Sequence, residues 1–364
     1  MSKIAIDARE YSTSTGRYVS KLIENLEKID QTDDYVILLK PGDMDKYTPT
    51  NPHFSKVVAP FKEFTFAEQL NFAWLLYKQK ADLVHFAMAH QPLLYLGRSV
   101  TTIHDLTTAR FVNPDKNPYV FFVKQQIYKV VIWYAAYKSR LVIVGSDYVR
   151  NDLANYTKVR KSKIRLTYEA ADPIKESPKP FQDLEGKQFI MYIGRPTPHK
   201  NLWRLIEAFD ALKGMYPDLQ LVLAGKMDRN YSEIKRRASS NGINDIHFTD
   251  YISEGELRWL YENCQAYIFP SLSEGFGLPG LEAMAHGAAV ISSNATCMPE
   301  IYGDAAKYFD PLDKQSIVEA IADVLSNEKL RDELIRLGSE QVKKYSWERM
   351  SEETLAIYKR ALGR

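Results

Sequence analysis

Along the chain, short β-branched or apolar runs alternate with longer stretches whose apolar residues recur at helical spacing. In the first half the runs predict strands at Lys3–Ala8, Tyr35–Lys40, Asp82–Phe86, Val100–His104, Leu141–Gly145 and Ile164–Tyr168, with amphipathic helices such as Gly16–Ile29 and Asp147–Tyr156 between them. From Pro173 to Lys187 three prolines and several charges interrupt the pattern, which reads as a linker. The series resumes at Phe189–Gly194, Leu219–Gly225, Ile246–Phe248, Ala266–Pro270 and Ala288–Ser293, and three helices from about Lys314, Lys329 and Trp347 close the chain. Strand and helix in strict alternation are the mark of parallel βαβ units. The expectation is an α/β fold of two doubly wound parallel-sheet domains, residues 1–172 and 188–346, joined by a linker at 173–187.

Composition narrows the class. A length of 364 residues suits two domains, and 45% apolar with 26% charged residues is typical of a globular chain. A net charge of +2 gives no electrostatic reason to expect nucleic acid. Two cysteines, Cys264 and Cys297, argue against a disulfide framework and a zinc site, and the start at Ile4-Ala5-Ile6-Asp7 lacks a basic-then-apolar leader. A cytoplasmic protein is expected, soluble or peripheral at a membrane. The seven histidines show no metal-ligand spacing, so no protein-bound catalytic metal is expected.

Candidate chemistry gathers at strand ends, where open parallel sheets bind ligands. After the strand at 266–270 comes Ser271-Leu272-Ser273-Glu274-Gly275-Phe276-Gly277-Leu278-Pro279-Gly280-Leu281-Glu282. Pro279 reads as the first helical residue, Gly275 and Gly277 let backbone approach a ligand, and the helix start favours a phosphate. Glu274 before the turn and Glu282 on the expected first helical turn could each grip a pair of sugar hydroxyls. Taken singly, Glu282 could simply complement the helix dipole and Glu274 could be a solvated charge. The run Gly275–Gly280 also matches the dinucleotide fingerprint G-x-G-x-x-G, but it sits too far beyond its strand. A second strand end carries Arg195-Pro196-Thr197-Pro198-His199-Lys200-Asn201, whose two cations suit a diphosphate leaving group.

Arg195 and Lys200 followed by Glu274 and Glu282, in the setting Pro-Ser-Leu-Ser-Glu-Gly-Phe-Gly-Leu-Pro, resemble the retaining glycosyltransferases of family four, with the GT-B fold. The resemblance extends over Ile4–Arg9 with Thr15-Gly16-Arg17-Tyr18, Ile103-His104-Asp105-Leu106, Pro299-Glu300-Ile301 and Tyr345-Ser346-Trp347-Glu348. It implies two Rossmann-like domains facing across a cleft, with the last helix, 347–364, packing back on the first. It implies that Arg195 and Lys200 hold the donor diphosphate, Glu282 the ribose, and Glu274 the donor sugar with backbone groups of Phe276, Gly277 and Leu278. Tyr251 and Ile252 would meet the base, Gly16 would lie near the diphosphate and acceptor, and His104 would reach the transferred sugar. Many relatives have a Gly-Gly pair where Gly16 stands alone after Ser12-Thr13-Ser14-Thr15, which leaves that loop's contacts open. No cofactor is implied, since the nucleotide-sugar is the substrate. The first motif is most like the mannosyltransferase branch and points to GDP-mannose, with UDP-glucose or another UDP-hexose as the alternative donor. The acceptor is a glycan or a lipid-linked glycan.

Other features bear on alternatives. Asp43-Met44-Asp45 matches a metal-binding D-x-D but falls in a Pro-Gly loop of the first domain and reads as a surface turn. Tyr119–Arg140, aromatic with interspersed lysines, reads either as core packing or as a helix lying on a membrane. A nicotinamide-dependent oxidoreductase would account for the glycines alone, and a non-catalytic sugar-nucleotide binder for the loops without turnover.

Overall fold

A computed structural model describes the chain apart from Ser14, Thr15, residues 112–117 and the side chain of Pro118. It forms two compact units. The first holds β1 (Lys3–Asp7), α1 (Gly16–Ile29), β2 (Asp34–Leu39), β3 (Phe54–Val58), α2 (Ala73–Gln79), β4 (Leu83–Phe86), β5 (Ser99–Thr102), α3 (Thr107–Arg110), α4 (Pro118–Lys138), β6 (Leu141–Val144), α5 (Asp147–Thr157) and β7 (Ile164–Leu166). The second holds β8 (Phe189–Ile193), α6 (Leu202–Leu212), β9 (Gln220–Ala224), α7 (Arg229–Ser240), β10 (Ile246–Phe248), α8 (Glu254–Asn263), β11 (Ala266–Phe269), α9 (Leu278–Ala285), β12 (Val290–Ser293), α10 (Met298–Tyr302), β13 (Ala306–Phe309), α11 (Lys314–Ser326) and α12 (Glu328–Val342). The chain then returns to the first unit with α13 (Trp347–Leu362).

Each unit is a parallel sheet. Strand order is β3-β2-β1-β4-β5-β6-β7 in the seven-stranded first sheet and β10-β9-β8-β11-β12-β13 in the six-stranded second. The central strands are apolar throughout and buried on both faces, as with Ile4–Ile6 and Tyr267–Phe269. Both edge strands absent from the sequence reading, β3 and β13, are partnered on one side only. Their mixed burial leaves no continuous apolar run to read, since Ser55, Lys56 and Lys307 all contact solvent.

Helix α1 buries Tyr18, Val19, Leu22, Ile23 and Leu26, a stripe at three- and four-residue spacing. It packs against α13, which buries Trp347, Met350, Leu355, Ile357 and Tyr358. A buried polar chain fixes α13 to the sheet: Tyr358 Oη lies 2.6 Å from His85 Nδ1, and His85 Nε2 lies 2.8 Å from Thr102 Oγ1. Burial pushes the His85 imidazole down to about 3, so it stays neutral between these hydroxyls.

The segment expected as a linker is packed onto the second unit. Lys179 N donates to Gly255 O at 3.0 Å, Gly255 N donates to Glu176 at 3.2 Å, and Leu184 is buried. Asp43, expected on a surface turn, is buried in a 3₁₀ turn, Pro41–Lys46, and paired with Lys46 at 3.0 Å. Helix α4 is buried along Phe121, Tyr128, Val131, Ile132 and Ala135, yet Phe122, Val123, Ile127, Val130, Trp133 and Tyr137 face solvent, so core packing accounts for only half of it. No described helix is long and apolar enough to cross a membrane.

Candidate functional site

In the second sheet the strand order reverses between neighbours β8 and β11: the connection after β8 leads to β9 on one side and that after β11 leads to β12 on the other. A crevice therefore opens beyond the carboxyl ends of these two strands, where such sheets bind ligands. Both sequence motifs of this unit lie there.

The β8 turn begins at Gly194, whose φ of 146° and closeness to Tyr192 exclude a side chain: a Cβ would lie 2.6 Å from Tyr192 Oη. Arg195 follows, exposed and with no carboxylate partner among the described residues. A 3₁₀ turn, Pro198–Lys200, then leads to Asn201 in the left-handed region at φ 58°. Asn201 Nδ2 donates to Pro270 O at 3.1 Å and Pro311 O at 2.8 Å, which clamps this turn to the β11 loop. Leu272 N donates to His199 O at 2.7 Å and completes the clamp.

On the β11 side, Glu274 N donates to Thr296 Oγ1 at 3.2 Å, while Glu274 O accepts from Cys297 Sγ at 3.3 Å. The carboxylate is thereby aimed at Lys200, with Oε1 2.6 Å from Nζ and both side chains largely covered. Gly277, at φ 88°, caps α9 with no side chain over the helix start. Its carbonyl accepts from Tyr302 Oη at 2.5 Å, and a Cβ on Gly280 would meet the same ring at 2.4 Å. The Phe276 ring is buried, its centroid 5.5 Å from that of Tyr345. The helix begins at Leu278, which places Pro279 second and Glu282 fifth. Glu282 thus sits in the second turn, half-buried, and not in the expected first. A left-handed turn pulls one more residue into the helix than its proline alone suggests.

Tyr251 is exposed and Ile252 half-buried in the connection from β10 to α8. Asp250, at φ 58°, accepts from Met227 N at 2.7 Å and bridges to Gly225, which ties this turn to the end of β9. These two residues therefore border the same edge of the second sheet.

Gly16 and His104 lie in the first unit. Gly16 opens α1, and a Cβ there would fall 2.0 Å from Tyr11 O. The preceding Ser14 and Thr15 lie outside the described residues. His104 stands just past β5 with both ring nitrogens against acceptors, Nδ1 3.2 Å from Glu169 Oε1 and Nε2 3.1 Å from Ala87 O. Burial alone would lower its pKa, but the hydrogen bond and charge of Glu169 outweigh that and raise it. Both ring nitrogens therefore face acceptors, which favours the protonated ring.

Sequence reasoning missed Glu169, Thr296, Asn201 and Tyr302, which orient the residues above. None had a signal in the sequence: each contributes through a fold-dependent contact to a residue distant in the chain.

Comparison with known proteins agrees with this architecture. The family model for glycosyl transferases group 1 matches residues 173–341, and that for glycosyltransferase family 4 matches residues 15–174. The O-antigen chain mannosyltransferase B of Escherichia coli is 30% identical over 306 residues, 79% of this chain and 76% of that protein. The serotype-specific mannosyltransferase WbdA of Escherichia coli is 32% identical over 237 residues, 63% of this chain but only 27% of its own greater length. Among solved structures, sucrose-phosphate synthase from Thermosynechococcus elongatus superposes with a TM-score of 0.78 at 18% identity, covering all of both chains. Anabaena HepE in complex with UDP and glucose superposes at 0.72 with 14% identity over 98% of this chain and 99% of that one. The chain has the GT-B fold and belongs to the family 4 glycosyltransferases, as an enzyme that transfers a hexose.

Proposed function

We propose that this glycosyltransferase moves a mannosyl group from GDP-mannose to a glycan or lipid-linked acceptor with retention of configuration. The observation that carries the reading is the Lys200–Glu274 contact beyond the ends of β8 and β11, with Arg195 exposed on the same β8 turn as Lys200. The relatives named mannosyltransferases support the sugar and a role in polysaccharide assembly.

In this reading Arg195 and Lys200 neutralise the diphosphate, and the start of α9 adds backbone N–H groups. Glu282 takes the ribose hydroxyls, Tyr251 and Ile252 border the base, and Glu274 holds the sugar with backbone of Phe276, Gly277 and Leu278. The bond from the sugar C1 to the phosphate oxygen breaks, and the acceptor oxygen attacks C1 from the face the diphosphate leaves. The acceptor proton passes to the departing phosphate oxygen. This route needs no protein base, and His104, positioned by Glu169 and Ala87, is assigned a place near the transferred sugar. Gly16 is assigned to the diphosphate and acceptor.

Peripheral membrane contact through the first unit belongs to the same reading. Phe66, Leu70, Trp74 and Tyr77 form an exposed stripe along Glu68–Phe72 and α2, beside the exposed face of α4. Helix α4 carries lysines and no acidic residue, which suits an anionic lipid surface.

Titration calorimetry with GDP-mannose, UDP-glucose and ADP-glucose, followed by NMR of the product linkage, tests the proposal. Tight GDP-mannose binding and an α-linked mannoside are expected. Preference for UDP-glucose would replace the donor, and a β-linked product would overturn retention.

A further inference from the structure

Two buried tyrosines of the second unit reach backbone carbonyls in the loops beyond β8 and β11. Tyr231, on the first turn of α7, is wholly buried, and its ring stands edge-on to Phe248 with centroids 6.1 Å apart. Asp228 caps the helix by accepting from Tyr231 N at 2.9 Å, which fixes where the side chain enters the core. The Tyr231 hydroxyl donates to Gly194 O at 2.9 Å and lies 3.3 Å from the carbonyl oxygen of Ala224, the last residue of β9. Gly225 keeps this approach open, since a Cβ there would fall 2.6 Å from Gly194 O and 3.1 Å from the Tyr231 ring. Burial and the charge of Asp228 raise the phenol's pKa, so Tyr231 keeps its proton and stays a donor.

The Gly194–Arg195 peptide is trans and planar, so its C=O and its N–H point in opposite directions. Strand β8 lies between β9 and β11. Gly194 turns both its polar groups toward the β9 side, its own N–H donating to Ala224 O at 3.0 Å. The N–H of Arg195 is therefore directed to the β11 side, on which Glu274 meets Lys200. Among the described residues it donates no hydrogen bond. Phenylalanine would fill the same space in the core, and the strand pairing already anchors the turn. What the hydroxyl adds is the orientation of this one peptide plane.

The facing loop has the same construction. Tyr302, buried in α10, donates to Gly277 O at 2.5 Å. Leu278 N–H, on the opposite side of that trans peptide, likewise donates to no described group.

We infer that Tyr231 is a positioning residue for glycosyl transfer: its hydroxyl holds the Gly194 carbonyl so that the backbone N–H of Arg195, and not its guanidinium alone, faces the departing diphosphate. Tyr302 does the same for Leu278 N–H. This assignment rests on the donor reading above and adds backbone donors whose hydrogen bonds strengthen as negative charge grows on the leaving oxygen.

Tyr231→Phe and Tyr302→Phe in the full chain each delete one hydroxyl and keep the ring. Affinity for GDP or UDP, whichever the parent binds, should fall by about threefold to tenfold in each. Guanosine or uridine, which lack the diphosphate, should bind as before. Turnover of the nucleotide-sugar should slow by about tenfold in kcat, because the aimed N–H matters most as the diphosphate departs. Unchanged nucleotide affinity and kcat in both variants would overturn the inference. So would an equal loss for nucleotide and nucleoside, which marks a merely structural hydroxyl. NMR of the ¹⁵N-arginine-labelled parent protein needs no variant: the Arg195 amide proton should move downfield with the diphosphate and stay with the nucleoside. A parent that binds GDP or UDP with an unmoved Arg195 amide loses the tyrosine assignment alone, whereas a parent that binds neither loses the donor reading as well.

Discussion

Lys200 and Glu274, from loops that leave adjacent strands of the second sheet, meet with Nζ 2.6 Å from Oε1. Each neutralises the other before a donor arrives, and the Thr296 and Asn201 contacts hold both in place. Two charges that are already desolvated and oriented would need little rearrangement to receive the proposed diphosphate and sugar.

That arrangement predicts different failures for its two ends. Lys200→Ala should weaken GDP and GDP-mannose alike, by about 1.5–3 kcal/mol, the scale of a hydrogen bond to a charged group. Glu274→Gln should spare GDP affinity and lower kcat, since its assigned contact is to the sugar. Calorimetry and initial rates on folded variants distinguish them; a Glu274→Gln enzyme that loses GDP affinity would reassign the carboxylate to the nucleotide.

Glu282 is assigned to the ribose. Its replacement by Ala should cost roughly 1–3 kcal/mol of affinity for GDP and GDP-mannose equally. Unchanged affinity for both would leave Glu282 a residue that only packs on α9.

The His104–Glu169 contact carries a pH dependence. The folded pKa of His104 is raised above 6.5, so the pair adds stability fully below pH 6.5 and loses it as pH rises through the raised value. In Glu169→Gln the hydrogen bond and charge of Glu169 are lost while burial remains, and the ring should titrate lower than in the parent protein. The difference in melting temperature between the two should be largest below pH 6.5 and shrink as the pH rises. NMR titration of the ring proton is the check: an unshifted His104 in Glu169→Gln would break the assignment. His104→Ala should lower kcat and kcat/KM together and leave GDP affinity intact, because the loops proposed to hold the nucleotide belong to the second unit.

Turnover should continue in EDTA. In the proposed reading Arg195 and Lys200 supply the positive charge that faces the diphosphate, and no group of three metal-ligating side chains comes together among the described residues. Activity that disappears in EDTA and returns with Mg²⁺ or Mn²⁺ would refute this.

Much of the fold was legible because burial on two faces imposes a simple pattern. Central strands such as β1, β8 and β11 must be apolar along their length, and helix α1 must repeat its apolar residues at the helical period. Strands β3 and β13 lack that constraint at the sheet edge. Helix α4 has apolar residues on both its buried and its exposed faces, so its pattern could not say which side meets solvent.

The sequence by itself determined the two parallel-sheet units, the strand ends on which the charged motifs sit, and the family. These follow from local spacing and from residue types that short segments display. Tertiary structure decided what each charge faces. Lys200 meets Glu274 only because β8 and β11 are neighbours in the sheet, although 74 positions separate the residues. His104 gains its carboxylate partner only from Glu169, 65 positions away and just past another strand. Arg9, in the loop after β1, meets Glu68, 59 positions away. Such pairings are set by the order in which strands assemble, and hydrophobic periodicity carries no record of that order.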